Sequence, residues 1–175
     1  MKLIVRAKAI MLTPRTEWAA IEQEPPGVLD LYTNYVAPLA AVPEVANFIG
    51  QSLVGGYKPI GEGLLHAIIV YLVTFAVVYV VAGVIALLAA RFGGKNNFAN
   101  AFKLSVYSHT PLWLAGIFLL VPGLSFLELL GGVFTFALLW SGLPPLMDTR
   151  SEQVLPYAAI VTVCALIPAV VLAII

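Results

Sequence analysis

Residues 64–90, LLHAIIVYLVTFAVVYVVAGVIALLAA, are 27 consecutive positions without an Asp, Glu, Lys or Arg. As an α-helix this run extends ~40 Å, more than the ~30 Å of hydrocarbon in a bilayer. A soluble fold would have to bury it on every side. The 175-residue chain is 61% hydrophobic and only 10% charged, whereas a soluble domain carries roughly 25% charged residues. Too little polar surface exists to enclose such a run in water. The fold class that follows is all-α: a polytopic membrane protein built as a bundle of transmembrane helices.

Four more apolar stretches share the chain with it, at about 31–53, 99–121, 125–143 and 154–175. The third is the least obvious. Its oily part, LWLAGIFLLV at 112–121, has 10 residues and reaches only ~15 Å, half a bilayer. Starting it near Ala99 gives a full crossing, with Lys103 snorkelling to the headgroups. FKLSVYSHTPLW then becomes the start of a membrane helix kinked at Pro111, with Ser108 and Thr110 serving the kink. Pro122-Gly123 is read as a tight turn, and Pro144-Pro145 as the stop of the fourth span.

Ahead of these lies a segment, 1–27, that reads as short cytoplasmic amphipathic helices lying in the membrane interface. Lys2, Arg6 and Lys8 face away from Leu3, Ile4, Ala7, Ile10 and Met11. Thr13 and Pro14 begin a second helix, Trp18 sits on its apolar side at headgroup level, and Pro25-Pro26-Gly27 ends it. No cleavable signal peptide is expected, because Lys2, Arg6 and Lys8 interrupt the apolar start. Residues 28–175 are the five-span domain.

Basic residues set the orientation. Lys2, Arg6, Lys8 and Arg15 precede the first span, Arg91, Lys95 and Lys103 flank the third, and Arg150 lies between the fourth and fifth. With five spans all of these share one side, leaving Lys58 alone opposite. The expected topology is N-terminus cytoplasmic and C-terminus outside, in a prokaryotic inner membrane. Net charge is zero, and no nucleic-acid partner is expected. The single cysteine, Cys164, rules out an intrachain disulfide.

Ionisable groups within spans mark functional sites by default, since an acid at mid-bilayer costs ~2.5 kcal/mol or more. Glu44, His66, His109 and Glu128 are the four here. With Asn47 near Glu44 and Thr135 on the Glu128 face, they are read as an intramembrane polar cluster. Small residues on that face (Gly131 or Gly132, and Gly142) and on the second span (Ala82, Ala86, Ala90) suit close helix packing. No paired-His, paired-acid, HExxH or Gly-x-Ser-x-Gly spacing occurs, so no metal, cofactor or catalytic residue is expected.

The order of three segments carries a resemblance. MLTPRTEWAAIEQEPPGVLDLYTNYVAPLAAVPEVANFIG precedes AFKLSVYSHTPLWLAGIF, which precedes LLWSGLPPLM. Together they resemble the prokaryotic branch of the Yip family, five-span membrane proteins named after proteins that interact with Rab GTPases. The matching positions are Asp30, Leu31, Tyr32, Pro38, Ser108, Pro111, Gly142, Leu143 and Pro144. The resemblance implies a helical bundle that organises or adapts other membrane components, with the bilayer, other membrane proteins or its own copies as partners. Eukaryotic members bind Rab GTPases and carry a long cytosolic domain. This chain has only about 30 residues before its first span, which argues against GTPase binding. The competing expectation is a transporter or channel for a small ion or molecule, using the polar cluster and the helices broken at Pro38, Pro43, Pro111 and Pro168.

Overall fold

The computed structural model describes residues 3–25 and 27–174, with side chains through Ile167. Among them every regular element is helical. Helices α1 (Leu3–Leu12) and α2 (Pro14–Gln23) form a hairpin. Helix α3, residues 28–54, is continuous, with π-helical turns at Tyr32–Val36 and Ile49–Val54 around the α-helical Ala37–Phe48. Helix α4 (Ile60–Ala89) ends in a 3-10 turn, Ala90–Phe92. Helices α5 (Phe98–Ser108) and α6 (Thr110–Ala115) are separated by His109, and α6 tightens into a 3-10 stretch, Gly116–Leu120. A second 3-10 stretch, Pro122–Leu127, leads into α7 (Glu128–Met147). Helix α8 (Val154–Ile174) follows a short turn, Ser151–Gln153.

Two of these helices, Ile60–Phe92 and Pro122–Met147, are long and apolar enough to cross a membrane by length and composition. Only 22% and 17% of their most apolar windows are buried inside the protein, so their oil is turned outward. Leu72, Leu87, Leu129 and Val133 are all more than 60% exposed. A soluble core helix hides such residues, and this one does not.

Prolines shape the bundle differently from the sequence expectation in one place. Helix α7 does not stop at 143 but runs through Pro144 and Pro145 to Met147, where Asp148 turns left-handed (φ 54°). The prolines remove only two amide donors, and other chain segments hold the extended end. Asn100 Nδ2 donates to the Leu146 carbonyl at 3.0 Å, and the Lys95 amide to that of Met147 at 2.7 Å. Pro111 follows the expected logic: Thr110 Oγ1 donates to the Tyr107 carbonyl that Pro111 leaves free (2.8 Å). Ser108 Oγ donates back to Leu104 O at 2.7 Å, and the break in the helix falls at His109.

Close approach of helices uses the glycines. A Cβ on Gly131 would lie 2.9 Å from Pro111 O, and one on Gly116 would lie 2.7 Å from the Pro43 Cα. Gly132 and Gly83 have open space where their Cβ would be, and Ala90 is exposed. The small-residue faces are therefore only partly in contact. Hydroxyls pin neighbouring helices: Ser105 donates to Val78 O and Tyr32 to Phe75 O, both at 2.8 Å, and Tyr157 to Ile85 O.

Three separate regions meet at one end of the bundle. Lys95 pairs with Asp148 at 2.8 Å, a Cβ on Gly93 would lie 3.1 Å from Arg150 Nε, and Lys103 reaches the end of α2. The N-terminal helices, the α4–α5 loop and the α7–α8 loop thus lie together.

Candidate functional site

Helix α2 stops at Gln23, and of its last-turn carbonyls Ile21 O accepts only the Glu24 amide from the backbone, at 3.2 Å, the rest being left over at a helix end. Lys103, from the second turn of α5, takes them. Its Nζ donates to Ile21 O at 3.0 Å and Glu24 O at 2.5 Å, with a longer contact to Glu22 O. A cation at a helix C-terminus is also favoured by the helix dipole. Lys103 is 3% exposed, so it caps α2 instead of snorkelling to the headgroups. Its four-carbon stem is long enough to bring the ammonium to a better-placed set of acceptors.

Arg6 likewise departs from expectation. It is 4% exposed, ion-paired with both Glu17 and Glu24, and its guanidinium lies 5.5 Å from the centre of the Tyr107 ring. A guanidinium without partners would not leave water, and two carboxylates supply the compensation. Trp18 is wholly buried, not placed at the surface. Its indole N–H donates to Ser141 Oγ at 3.1 Å, and its ring packs edge-on to Tyr107. Gly142 makes room for it, since a Cβ there would sit 2.8 Å from Trp18 Cε2 and 2.5 Å from Leu104 Cδ1. Lys8 is exposed, and Lys2 lies outside the described residues.

A cavity of about 210 Å³ opens beside this knot, between α1, the end of α2, the start of α3 and α5. Arg6, Glu24, Asp30, Tyr35, Lys103 and Tyr107 are among its walls. Asp30 is exposed, and Asn34 Nδ2 donates to its Oδ1 at 2.6 Å. Tyr35 is buried, its hydroxyl paired with Thr110 Oγ1 at 2.8 Å and its ring edge-on to Tyr107. Leu31 is another wall, while Tyr32 stacks on Phe75 nearby. Pro38 is exposed, and Pro144 is exposed beside the buried Leu143.

Of the residues expected as one intramembrane cluster, Glu44 and Glu128 lie near enough to interact electrostatically, and the two histidines have contacts of their own. His66 instead neighbours Lys58. His109 Nδ1 donates to Ser105 O one turn earlier (2.7 Å), and its ring stacks on Trp113. Thr135 has a buried hydroxyl with no partner among the described residues, and Asn47 is half-buried on α3. Glu44 borders a second cavity whose other walls, Ala41, Val45, Phe48, Leu64, Ala67, Ile68 and Tyr71, are almost all apolar. The polar site is thus at the other end of the bundle. Sequence reading missed Glu17, Glu24, Tyr35 and Tyr107. The available signal was a set of three acids in α2 and its flank, Glu17, Glu22 and Glu24, two of which lie next to Trp18 and Ile21.

These features define a class: an all-helical bundle with an apolar exterior, one knot of buried charge, and an N-terminal helical hairpin fastened across it. The chain belongs to the Yip1 domain family, whose match covers residues 8–173. The inner membrane protein YohC of Escherichia coli strain K12 is 29% identical over 157 residues, spanning 83% of this chain and 80% of the relative. Its counterpart in E. coli O6:H1 strain CFT073 shows the same identity and coverage. No solved structure matches the chain.

Proposed function

We propose that this chain is a non-enzymatic integral membrane protein of the Yip type that organises or adapts other membrane components in a prokaryotic inner membrane. Five helical stretches cross the bilayer on this reading: 28–54, Ile60–Phe92, 98–120, Pro122–Met147 and Val154–Ile174. The N-terminus is cytoplasmic and the C-terminus outside. The observation that carries the reading is the division of the surface. Apolar side chains face outward along the long helices, while the N-terminal hairpin and two loops bearing Arg15, Arg91, Lys95 and Arg150 gather at one end. Basic residues gathered this way favour the cytoplasmic face. The relative's printed name, an inner membrane protein, supports the location.

Topology is tested by an impermeant maleimide in a Cys164→Ala background, with Lys58→Cys and Ser151→Cys probed in intact cells and in lysed cells. The expected result is labelling of position 58 in intact cells and of 151 only after lysis. Labelling of both from outside would break the five-span arrangement. The adaptor role is tested by photo-crosslinking from Ala19 and Ala20, which are exposed on the side of α2 opposite Trp18. Discrete adducts with membrane proteins or with a second copy are expected. Adducts no different from those formed at lipid-facing Leu87 would sink it.

The competing reading, a conduit, draws on the Glu44–Glu128 proximity and the Thr135 hydroxyl, which has no partner among the described residues. Proteoliposomes decide it: proton or cation flux that Glu44→Gln abolishes would favour transport, and no flux under any gradient would remove it.

A further inference from the structure

The cavity beside the Arg6 knot has a chemical bias that its walls reveal when their hydrogen bonds are counted out. The cations in it are already engaged. Arg6 is bound by Glu17 and Glu24, and Lys103 by three backbone carbonyls. The groups left with spare capacity are acceptors. Asp30 has one oxygen held by Asn34 and the other free among the described residues, and Glu24 bonds Arg6 through one oxygen only. Among the cavity walls the charged groups balance, Arg6 and Lys103 against Glu24 and Asp30, so the bias lies in which of them are already engaged.

A second observation is independent of the acids. Tyr107 is 4% exposed, lines the cavity, and its hydroxyl has no hydrogen-bond partner among the described residues. The side chain is largely buried while its unbonded hydroxyl keeps some accessible surface, so a partner for it can come from the cavity. The Tyr107 ring already carries the Arg6 guanidinium, and the Tyr35 ring provides the aromatic wall that organic cations favour. A metal ion fits less well, since no group of three His, Cys, Asp or Glu side chains capable of holding one occurs among the described residues.

We propose that this cavity binds a primary ammonium group, held by the Asp30 carboxylate and the Tyr107 hydroxyl against the Tyr35 ring. The ammonium belongs either to a free small amine or to an ethanolamine-type lipid headgroup. Both sources present the same chemistry, and only the lipid source rests on the membrane reading above. Asp30 stands in the first turn of its helix and Lys103 in the second turn of α5, the depth at which a headgroup would lie on that reading.

The test uses the full chain purified in a non-ionic detergent. Thermal unfolding is followed against ethanolamine hydrochloride, with sodium chloride and magnesium chloride as matched controls. In parallel, nanodiscs of phosphatidylethanolamine and phosphatidylglycerol supply the lipid, and retained lipid is read by native mass spectrometry. Wild type should show saturable stabilisation by ethanolamine, selective retention of phosphatidylethanolamine, or both. Asp30→Asn, at an exposed position, should weaken binding about tenfold or more, as loss of a charge-assisted bond implies. Tyr107→Phe should weaken it about threefold to fivefold, the scale of a neutral hydrogen bond. Both variants should keep the ligand-free melting temperature. Retention of the lipid without a response to free ethanolamine identifies a headgroup site, and the reverse identifies a soluble amine. The proposal is overturned by no saturable response to either source, by a response that Asp30→Asn keeps in full, or by stabilisation from magnesium alone.

Discussion

The two ends of the bundle treat charge in opposite ways. Where α2 stops, Arg6, Glu17, Glu24 and Lys103 are drawn inward and bound by one another or by helix-end carbonyls. At the far end, Glu44 and Glu128 enter no ion pair among the described residues, and the walls around Glu44 are apolar. The difference shows what burial of a charge in this chain demands. A long side chain must find several acceptors at once, and only the N-terminal hairpin brings enough of them to one place.

Substitutions sharpen that contrast, each read as a shift in thermal or denaturant unfolding of the detergent-solubilised protein. Arg6→Ala strands the largely buried Glu17 carboxylate and should cost about 3 kcal/mol, near the lower end for breaking a buried pair. Gly142→Leu drives a side chain into Trp18 and Leu104 and should cost about 2 kcal/mol. Trp18→Phe loses the bond to Ser141 and some packing, for about 1–2 kcal/mol. Glu44→Gln at the far end should stay within about 0.5 kcal/mol. A Glu44→Gln penalty as large as that of Arg6→Ala would erase the distinction between the ends.

Lys95→Ala lies at the bottom of the scale. Lys95 and Asp148 are exposed, and solvent screens such pairs, so no resolvable change is expected near neutral pH. The hydrogen bond and charge of Asp148 raise the Lys95 pKa above the ordinary lysine value. Whatever the pair contributes is therefore fully present below that ordinary value and is lost as alkaline pH rises through the raised one. A wild-type and Lys95→Ala pair of pH–stability curves that diverge in acid would contradict this.

The helical class and most of the helix extents were legible because they depend on local composition. The run at 64–90 becomes Ile60–Phe92, and the extended reading of 99–121 becomes a broken helix over 98–120. Hydropathy could not reveal that Pro144 and Pro145 leave α7 intact, because the groups that hold its end, Asn100 and the Lys95 amide, lie 46 and 52 residues away. Nor could it place Arg6, Trp18 and Lys103. Each looks like an interfacial residue when only its own helix is considered. Their burial depends on Glu17, Ser141 and the carbonyls of α2, contacts that no single helical period encodes. The contacts of His66 with Lys58 and of His109 with Ser105 and Trp113 have the same origin: depth along a span is readable, but the direction a helix turns toward its neighbours is not.

Those long-range partners also bear on the order in which the chain is made. Trp18 bonds to a hydroxyl 123 residues later, and the α2 carbonyls to a lysine 79 to 82 residues later. At a synthesis rate of ~5–20 residues per second, Ser141 follows Trp18 by roughly 6–25 s. Helices α1 and α2 are made well before the segments that hold them and are thus among the last to be fastened, and during that interval the indole and the acids of α2 are open to whatever else is at the membrane surface.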